Sequence, residues 1–233
     1  MSKPTLMRAK AATLWQTLRD YLGTVARRRV TRIADCDGLR DFLESRASHV
    51  AQTSLYGYLR TRAGARYPEL FANDAFVQSI DIAKWYIWLA CLSDLSIYAG
   101  GLLAHGTGAG QAEVRRLMSD VVEAILAATG IPPGAGDEFL QLAQRLRTRV
   151  EQCDWASVSD DEGPFSESPS VLVDRAPVID ELKRLDEEIV RNSVRFRWQE
   201  VRRDLRRELD ATALMASTQK VPAEEGEAFP GEG

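Results

Sequence analysis

The sequence predicts an all-α fold: a single-domain helical bundle of about five main helices around one central apolar helix. No stretch of the chain shows the sustained alternation of apolar and polar residues that marks a half-buried strand. Apolar residues instead recur at helical spacing in several segments. The most apolar run, residues 74–104, is apolar on nearly all its faces, which is typical of a helix that other helices cover.

The composition is that of an ordinary globular chain. Of its 233 residues, 45% are hydrophobic and 27% are charged, and the formal net charge is -4. A general nucleic-acid binder is usually basic, so this charge argues against that class. The cysteines Cys36, Cys91 and Cys153 form no CxxC pair or Cys/His cluster, so the sequence predicts no metal and no cofactor. Scattered cysteines and the lack of a signal-peptide pattern predict a cytoplasmic protein.

Residues 1–32 are predicted to form a basic amphipathic helix, with its regular part over 5–30. Residues 1–33 carry eight basic side chains and one acidic side chain. The apolar face consists of Leu14, Leu18, Tyr21, Leu22 and Val25. Docking on the protein's own core is the ordinary interpretation of such a face. The alternative is peripheral contact with the anionic inner membrane or with an acidic partner.

The next two predicted helices cover residues 35–62 and the apolar run 74–104. Asn73 or Asp74 can cap the second of them, and Gly100, Gly101 and then His105 and Gly106 are expected to mark its weakening end. A membrane span is the competing interpretation, because residues 85–104 are about long enough to cross a bilayer. Asp94 lies in the middle of that run, and a carboxylate there is costly in a membrane. A buried core helix is therefore the favoured prediction.

The rest of residues 33–214 completes the predicted helical domain. Helices are predicted over 111–129 and 136–152, followed by an acidic, Ser- and Pro-rich loop over 153–177. A long helix is predicted over 178–214, and residues 215–233 have the composition of a disordered acidic tail. A helix of that length exceeds the diameter of a small bundle. It is therefore expected to project, to bend, or to dock on a second copy in a homo-oligomer.

The candidate catalytic residues lie on and just after the central helix. If the protein is a hydrolase, Ser96 or Ser93 is the expected nucleophile, His105 the base and Asp94 the orienting acid. This arrangement requires the chain to fold back after Gly101, because a straight helix would hold the residues apart. The ordinary interpretation is that Asp94 is a buried polar group hydrogen-bonded to another helix.

Five stretches of the sequence are similar to a known group of proteins. They are residues 28–36, 53–71, 85–101, 153–169 and 186–207, the third of which reads WYIWLACLSDLSIYAGG. These stretches resemble a group of short alphaproteobacterial helical proteins that often carry the label esterase. The resemblance covers roughly residues 28–210, and it implies hydrolysis of a small carboxylic ester without implying any particular catalytic residue.

Two functional hypotheses follow from the sequence. The first is a hydrolase acting on small carboxylic esters, which depends on the resemblance. The second is a non-catalytic helical adaptor that binds a protein partner, at the inner membrane in one version. The basic first segment, the acidic loop and the long last helix indicate this second function.

Overall fold

The structure, a computed structural model, describes residues 32–218. Within this range every regular element is helical, and the one pairing of extended backbone is an isolated parallel bridge between Ile33 and Leu209. The all-α prediction is therefore confirmed. The predicted basic helix over 5–30 and the acidic tail after residue 218 lie outside the described residues.

Helix α1 covers Cys36–Ala63 and is followed by a single 3₁₀ turn and the short helix α2, Tyr67–Leu70. The helix begins at Asp35, whose carboxylate accepts a hydrogen bond from the main-chain N–H of Gly38 at 2.8 Å. This is the usual way in which an aspartate satisfies a free donor in the first turn of a helix. The helix ends at Gly64, whose φ of 53° is readily adopted only by glycine.

Helix α3, Asp74–Thr107, is the central element. Every residue from Tyr86 to Gly101 is buried, and the helix packs against α1 and against most of the helices that follow it. By length and composition this helix could cross a membrane, but 89% of its most apolar window is buried inside the protein. Its apolar residues on all faces are therefore explained by the helices that surround it.

The predicted weakening of α3 is wrong at Gly100 and Gly101, because the helix continues through both. It ends at Thr107, directly after the predicted His105 and Gly106, with Gly108 as the cap. The two glycines have a packing role instead. A Cβ atom on Gly100 would overlap the indole ring of Trp155, and one on Gly101 would lie 2.5 Å from Cγ1 of Val158. The glycines thus form a shallow groove on α3 that receives the segment after α5.

Helices α4, Gln111–Thr129, and α5, Gly136–Gln152, are both amphipathic and pack against each other and against α3. The first turn of α4 is closed by Glu113, whose carboxylate accepts a hydrogen bond from the main-chain N–H of Gly110 at 3.1 Å. The buried face of α4 consists of Val114, Leu117, Met118, Val121, Val122, Ile125 and Leu126.

The prediction of an irregular loop over 153–177 is wrong in part. This segment contains a 3₁₀ turn, Trp155–Ser157, and helix α6, Glu167–Arg175. Pro169 is compatible with α6 because it lies in the first turn, where main-chain N–H groups have no partner within the helix. Trp155 and Phe165 are fully buried, so the segment is anchored on the core by two aromatic side chains.

The predicted helix over 178–214 is divided in two. Helix α7 covers Asp180–Glu208, and α8 covers Ala211–Thr218. Between them the chain is extended at Leu209, where Ile33 donates to the carbonyl of Glu208 at 2.8 Å and accepts from the N–H of Asp210 at 2.9 Å. The predicted start of the disordered tail at residue 215 is also wrong, because residues 215–218 are helical and Met215 is buried.

Candidate functional site

The structure does not bring the predicted catalytic residues together. Ser96, Asp94 and His105 all lie on α3, and nine residues of continuous helix hold Ser96 and His105 about 13 Å apart along the axis. Ser96 is completely buried, and its hydroxyl has no hydrogen-bond partner within residues 32–218. His105 is exposed, and its Nε2 lies 2.9 Å from the carbonyl oxygen of Val158, to which it donates.

Asp94 is buried among hydrogen-bond donors from other helices. Its carboxylate accepts from Nη1 of Arg149 at 2.8 Å, and from both the N–H and the hydroxyl of Ser168 at 2.8 and 2.7 Å. The N–H of Glu167 donates a further bond at 3.2 Å. Burial raises the pKa of Asp94, and Arg149 and Ser168 oppose that rise by stabilising the charged form. Asp94 is thus the hydrogen-bonded buried group of the ordinary interpretation.

The donors around Asp94 are themselves held in place. Nη1 of Arg149 also donates to the hydroxyl of Ser93 at 2.9 Å, and its Nη2 donates to the carbonyl of Pro164 at 2.9 Å. The indole N–H of Trp198 donates to the hydroxyl of Ser168 at 2.9 Å. This network joins α3, α5, α6 and α7. Neither Ser93 nor Ser168 is hydrogen-bonded to a histidine that could take its proton, so the arrangement suits fixation of the fold better than nucleophilic catalysis.

A cleft of about 320 Å³ lies beside His105, between α3 and the segment after α5. Its one carboxylate, Asp160, accepts hydrogen bonds from the hydroxyl of Tyr98 at 2.6 Å and from Arg206 at 2.7 Å, and it also contacts Arg202. Burial alone would raise the pKa of Asp160, but these three donors lower it. The negative charge of Asp160 is therefore balanced by arginines of α7, and the role of this residue is to hold the segment after α5 on α7.

A second cleft, of about 360 Å³, lies between α4 and α5. An ion pair between Arg147 and Glu123 crosses it, and this pair lowers the pKa of Glu123. The lining residues are polar or aliphatic and include no histidine or cysteine. Within the described part of the chain, no group of three or more His, Cys, Asp or Glu side chains is placed to hold a metal ion.

The most exposed large apolar side chains of α7 form a line along its outer face. Leu185, Ile189 and Phe196 are 76%, 73% and 72% exposed, and we call this line the outer stripe. At 100° per residue it lies about 160° around the helix from the buried face. That buried face consists of Val190, Val194, Trp198, Val201 and Leu205.

The outer stripe is the feature that sequence reasoning did not identify as functional. In the sequence this helix has one apolar stripe of Leu182, Leu185 and Ile189 and a second of Val190, Val194, Trp198, Val201 and Leu205. The spacing within each stripe does not distinguish core from surface. The angle between the two stripes is the signal that could have separated them. A single helix at the surface of a bundle cannot turn two faces so far apart toward one core.

Comparisons of this chain with protein-family models, with curated proteins and with solved structures found no match. The resemblance to the esterase-labelled group therefore depends only on the five stretches of sequence. The clefts, the buried network and the outer stripe are the features on which a functional proposal can be based.

Proposed function

We propose that this protein is a helical adaptor, a non-catalytic protein that binds another polypeptide through the outer stripe of α7. The observation that carries this proposal is the exposure of Leu185, Ile189 and Phe196 on one helix face. Several large apolar side chains exposed on one face of a folded protein mark an interaction site more often than apolar residues scattered singly do.

The spacing of the stripe suits recognition of a second helix. Leu185 and Ile189 are four residues apart and Phe196 follows seven residues later, which is the pattern of anchors in helix-to-helix binding. A large aromatic side chain that becomes buried in an interface often contributes more to affinity than the contacts around it. Phe196 is the residue of this kind on α7.

The support beneath the stripe is rigid. The opposite face of α7 is buried, with Val194 and Trp198 at 1% exposure, and ion pairs from Asp186 to Arg62 and from Asp204 to Arg46 join it to α1. A helix held in this way loses little conformational freedom when a partner binds, which favours affinity. Ester hydrolysis has less support, since it would need a base beside Ser96.

The proposal can be tested by site-specific photo-cross-linking in cells. A photoreactive amino acid at Ile189 or Phe196 is expected to give a product of defined mass, whose second polypeptide is identified by mass spectrometry. Ile131 is a matched control, because it is 60% exposed but lies outside α7. Products of equal yield at Ile131 and at the stripe, or no product at either, would remove the proposal.

A further inference from the structure

We propose that the polypeptide bound by the outer stripe is α7 of a second copy of this chain, packed antiparallel. This inference rests on the proposed function, because it names the partner of the same face. Two observations support it: the register of the apolar residues along α7 and the placement of two charged side chains beside them.

The outer stripe lies on a repeat with alternating spacings of three and four residues, which also includes Leu182 and the polar Asn192. Leu182, which is partly buried, Leu185, Ile189, Asn192 and Phe196 occupy successive positions of such a repeat. This spacing aligns one face of a helix with an equivalent face on another helix. A two-fold axis that crosses the helix pair at the level of residues 190 and 191 places Leu185 of one copy opposite the partner's Phe196. By symmetry, Phe196 of the first copy then lies opposite the partner's Leu185. A symmetric homodimer requires such a self-complementary patch.

The charges flanking the stripe determine the orientation of the two helices. Glu188 and Arg195 are both exposed and lie on the same side of the stripe. They are seven residues apart, about 10 Å along the helix, which is too far for an ion pair between them. Among residues 32–218, Glu188 has no ion-pair partner, and Arg195 contacts the side-chain oxygen of Asn192 at 3.2 Å.

The antiparallel arrangement brings Glu188 beside the partner's Arg195, and the symmetry forms this contact twice. A parallel arrangement in register would instead place each of these charges at the level of the same charge on the other copy. Complementary charge therefore favours the antiparallel orientation, because charges beside an apolar seam select its pairing. Asn192 interrupts the apolar surface, so we expect a weak dimer that dissociates into monomers as the protein is diluted.

The test uses the full chain and measures its mass by sedimentation over a range of concentrations. The mass is expected to rise from 25.9 kDa toward twice that value as the concentration increases. Replacing both Ile189 and Phe196 by aspartate is expected to keep the protein monomeric, whereas Ile131→Asp leaves the dimer unchanged. Circular dichroism and thermal unfolding of each variant establish that it is folded.

Charge-reversal variants distinguish this antiparallel α7 interface from an interface that uses other residues. Glu188→Arg and Arg195→Glu, made singly, are each expected to weaken the dimer about tenfold, since two attractive contacts become repulsive in each case. The chain with both reversals is expected to return to within about threefold of the original dissociation constant. Only an interface that pairs residue 188 of one copy with residue 195 of the other predicts this recovery.

Three outcomes would overturn the inference: a monomer at every concentration, a dimer insensitive to the aspartate substitutions, or no recovery in the double reversal. If the chain is monomeric while position 189 cross-links to a different polypeptide, the inference fails and the adaptor proposal stands. Cross-links from position 189 to residues 1–31 of the same chain would count against both.

Discussion

Ser168 contacts the carboxylate of Asp94 twice, through its main-chain N–H at 2.8 Å and its hydroxyl at 2.7 Å. These bonds, with the one from the N–H of Glu167, cap the first turn of α6. The residue at the normal capping position, Ser166, makes no such bond. Helix α6 is therefore capped by a side chain from α3, and its start is determined by tertiary contacts.

Replacing Asp94 by asparagine is expected to lower the free energy of unfolding by about 3 kcal/mol. A neutral amide cannot balance the charge of Arg149. In addition, one carboxylate oxygen, which accepts hydrogen bonds, would be replaced by an NH₂ group, which would face the same donors without being able to accept from them. Equilibrium unfolding in urea, followed by tryptophan fluorescence, measures the change. Asp81→Asn is the control, because Asp81 forms an exposed pair with Lys84 at 3.2 Å and its loss should cost less than about 0.5 kcal/mol. Equal effects would contradict the role assigned to Asp94.

Gly100→Ala is expected to destabilise the protein by about 2 kcal/mol, because the added methyl group would overlap the buried ring of Trp155. Gly57→Ala provides the contrast. A Cβ atom there lies 3.5 Å from Arg197, which is an ordinary contact, and alanine favours the helix by up to about 1 kcal/mol. The two midpoints in thermal unfolding should therefore move in opposite directions. A stabilising Gly100→Ala would show that Trp155 does not pack on α3 in this way.

Ser96→Ala is expected to leave the stability unchanged or to raise it by about 1 kcal/mol, because the buried hydroxyl has no partner within residues 32–218. The proposed non-catalytic function predicts that neither the original protein nor this variant hydrolyses a short-chain aryl ester faster than the uncatalysed reaction. The ester-hydrolase hypothesis makes the opposite prediction, with activity lost in both Ser96→Ala and His105→Ala. Measuring the rates of all three proteins decides between them.

His49 is expected to make stability depend on pH. Burial first, and then the positive charges of Arg46 and Arg197, lower its pKa, while Glu200 raises it. The folded state thus favours the neutral ring, and below the unfolded pKa of about 6.5 the unfolded state binds more protons. The contribution of the neutral His49 ring to stability is fully present above that pH, and it declines as the pH falls toward the folded pKa.

His49→Gln should therefore make this decline less steep. Unfolding free energies of the two proteins at a series of pH values from neutral to mildly acidic measure the difference, which isolates the contribution of His49 from that of the carboxylates. Parallel curves over the whole range would show that the ring does not resist protonation in the folded state.

The sequence alone was enough to predict an all-α protein, because helical periodicity and the lack of alternation are local properties. It also predicted, as the ordinary interpretation, that Asp94 is a buried group bonded to another helix. It was misleading at Gly100 and Gly101, where glycine commonly signals the end of a helix. Here glycine is required because another part of the chain approaches closely, and nothing near residue 100 in the sequence reveals that approach.

Only the tertiary structure decided which distant residues meet and which helix faces are buried. Asp94 and Ser168 meet across 74 residues, and the burial of one α7 face rather than the other depends on α1 and α6. Local patterns determine which segments form helices, since the hydrogen bonds of a helix join residues four apart. Which faces remain exposed depends on contacts between distant segments, and this is why only the folded protein shows that the outer stripe of α7 is exposed.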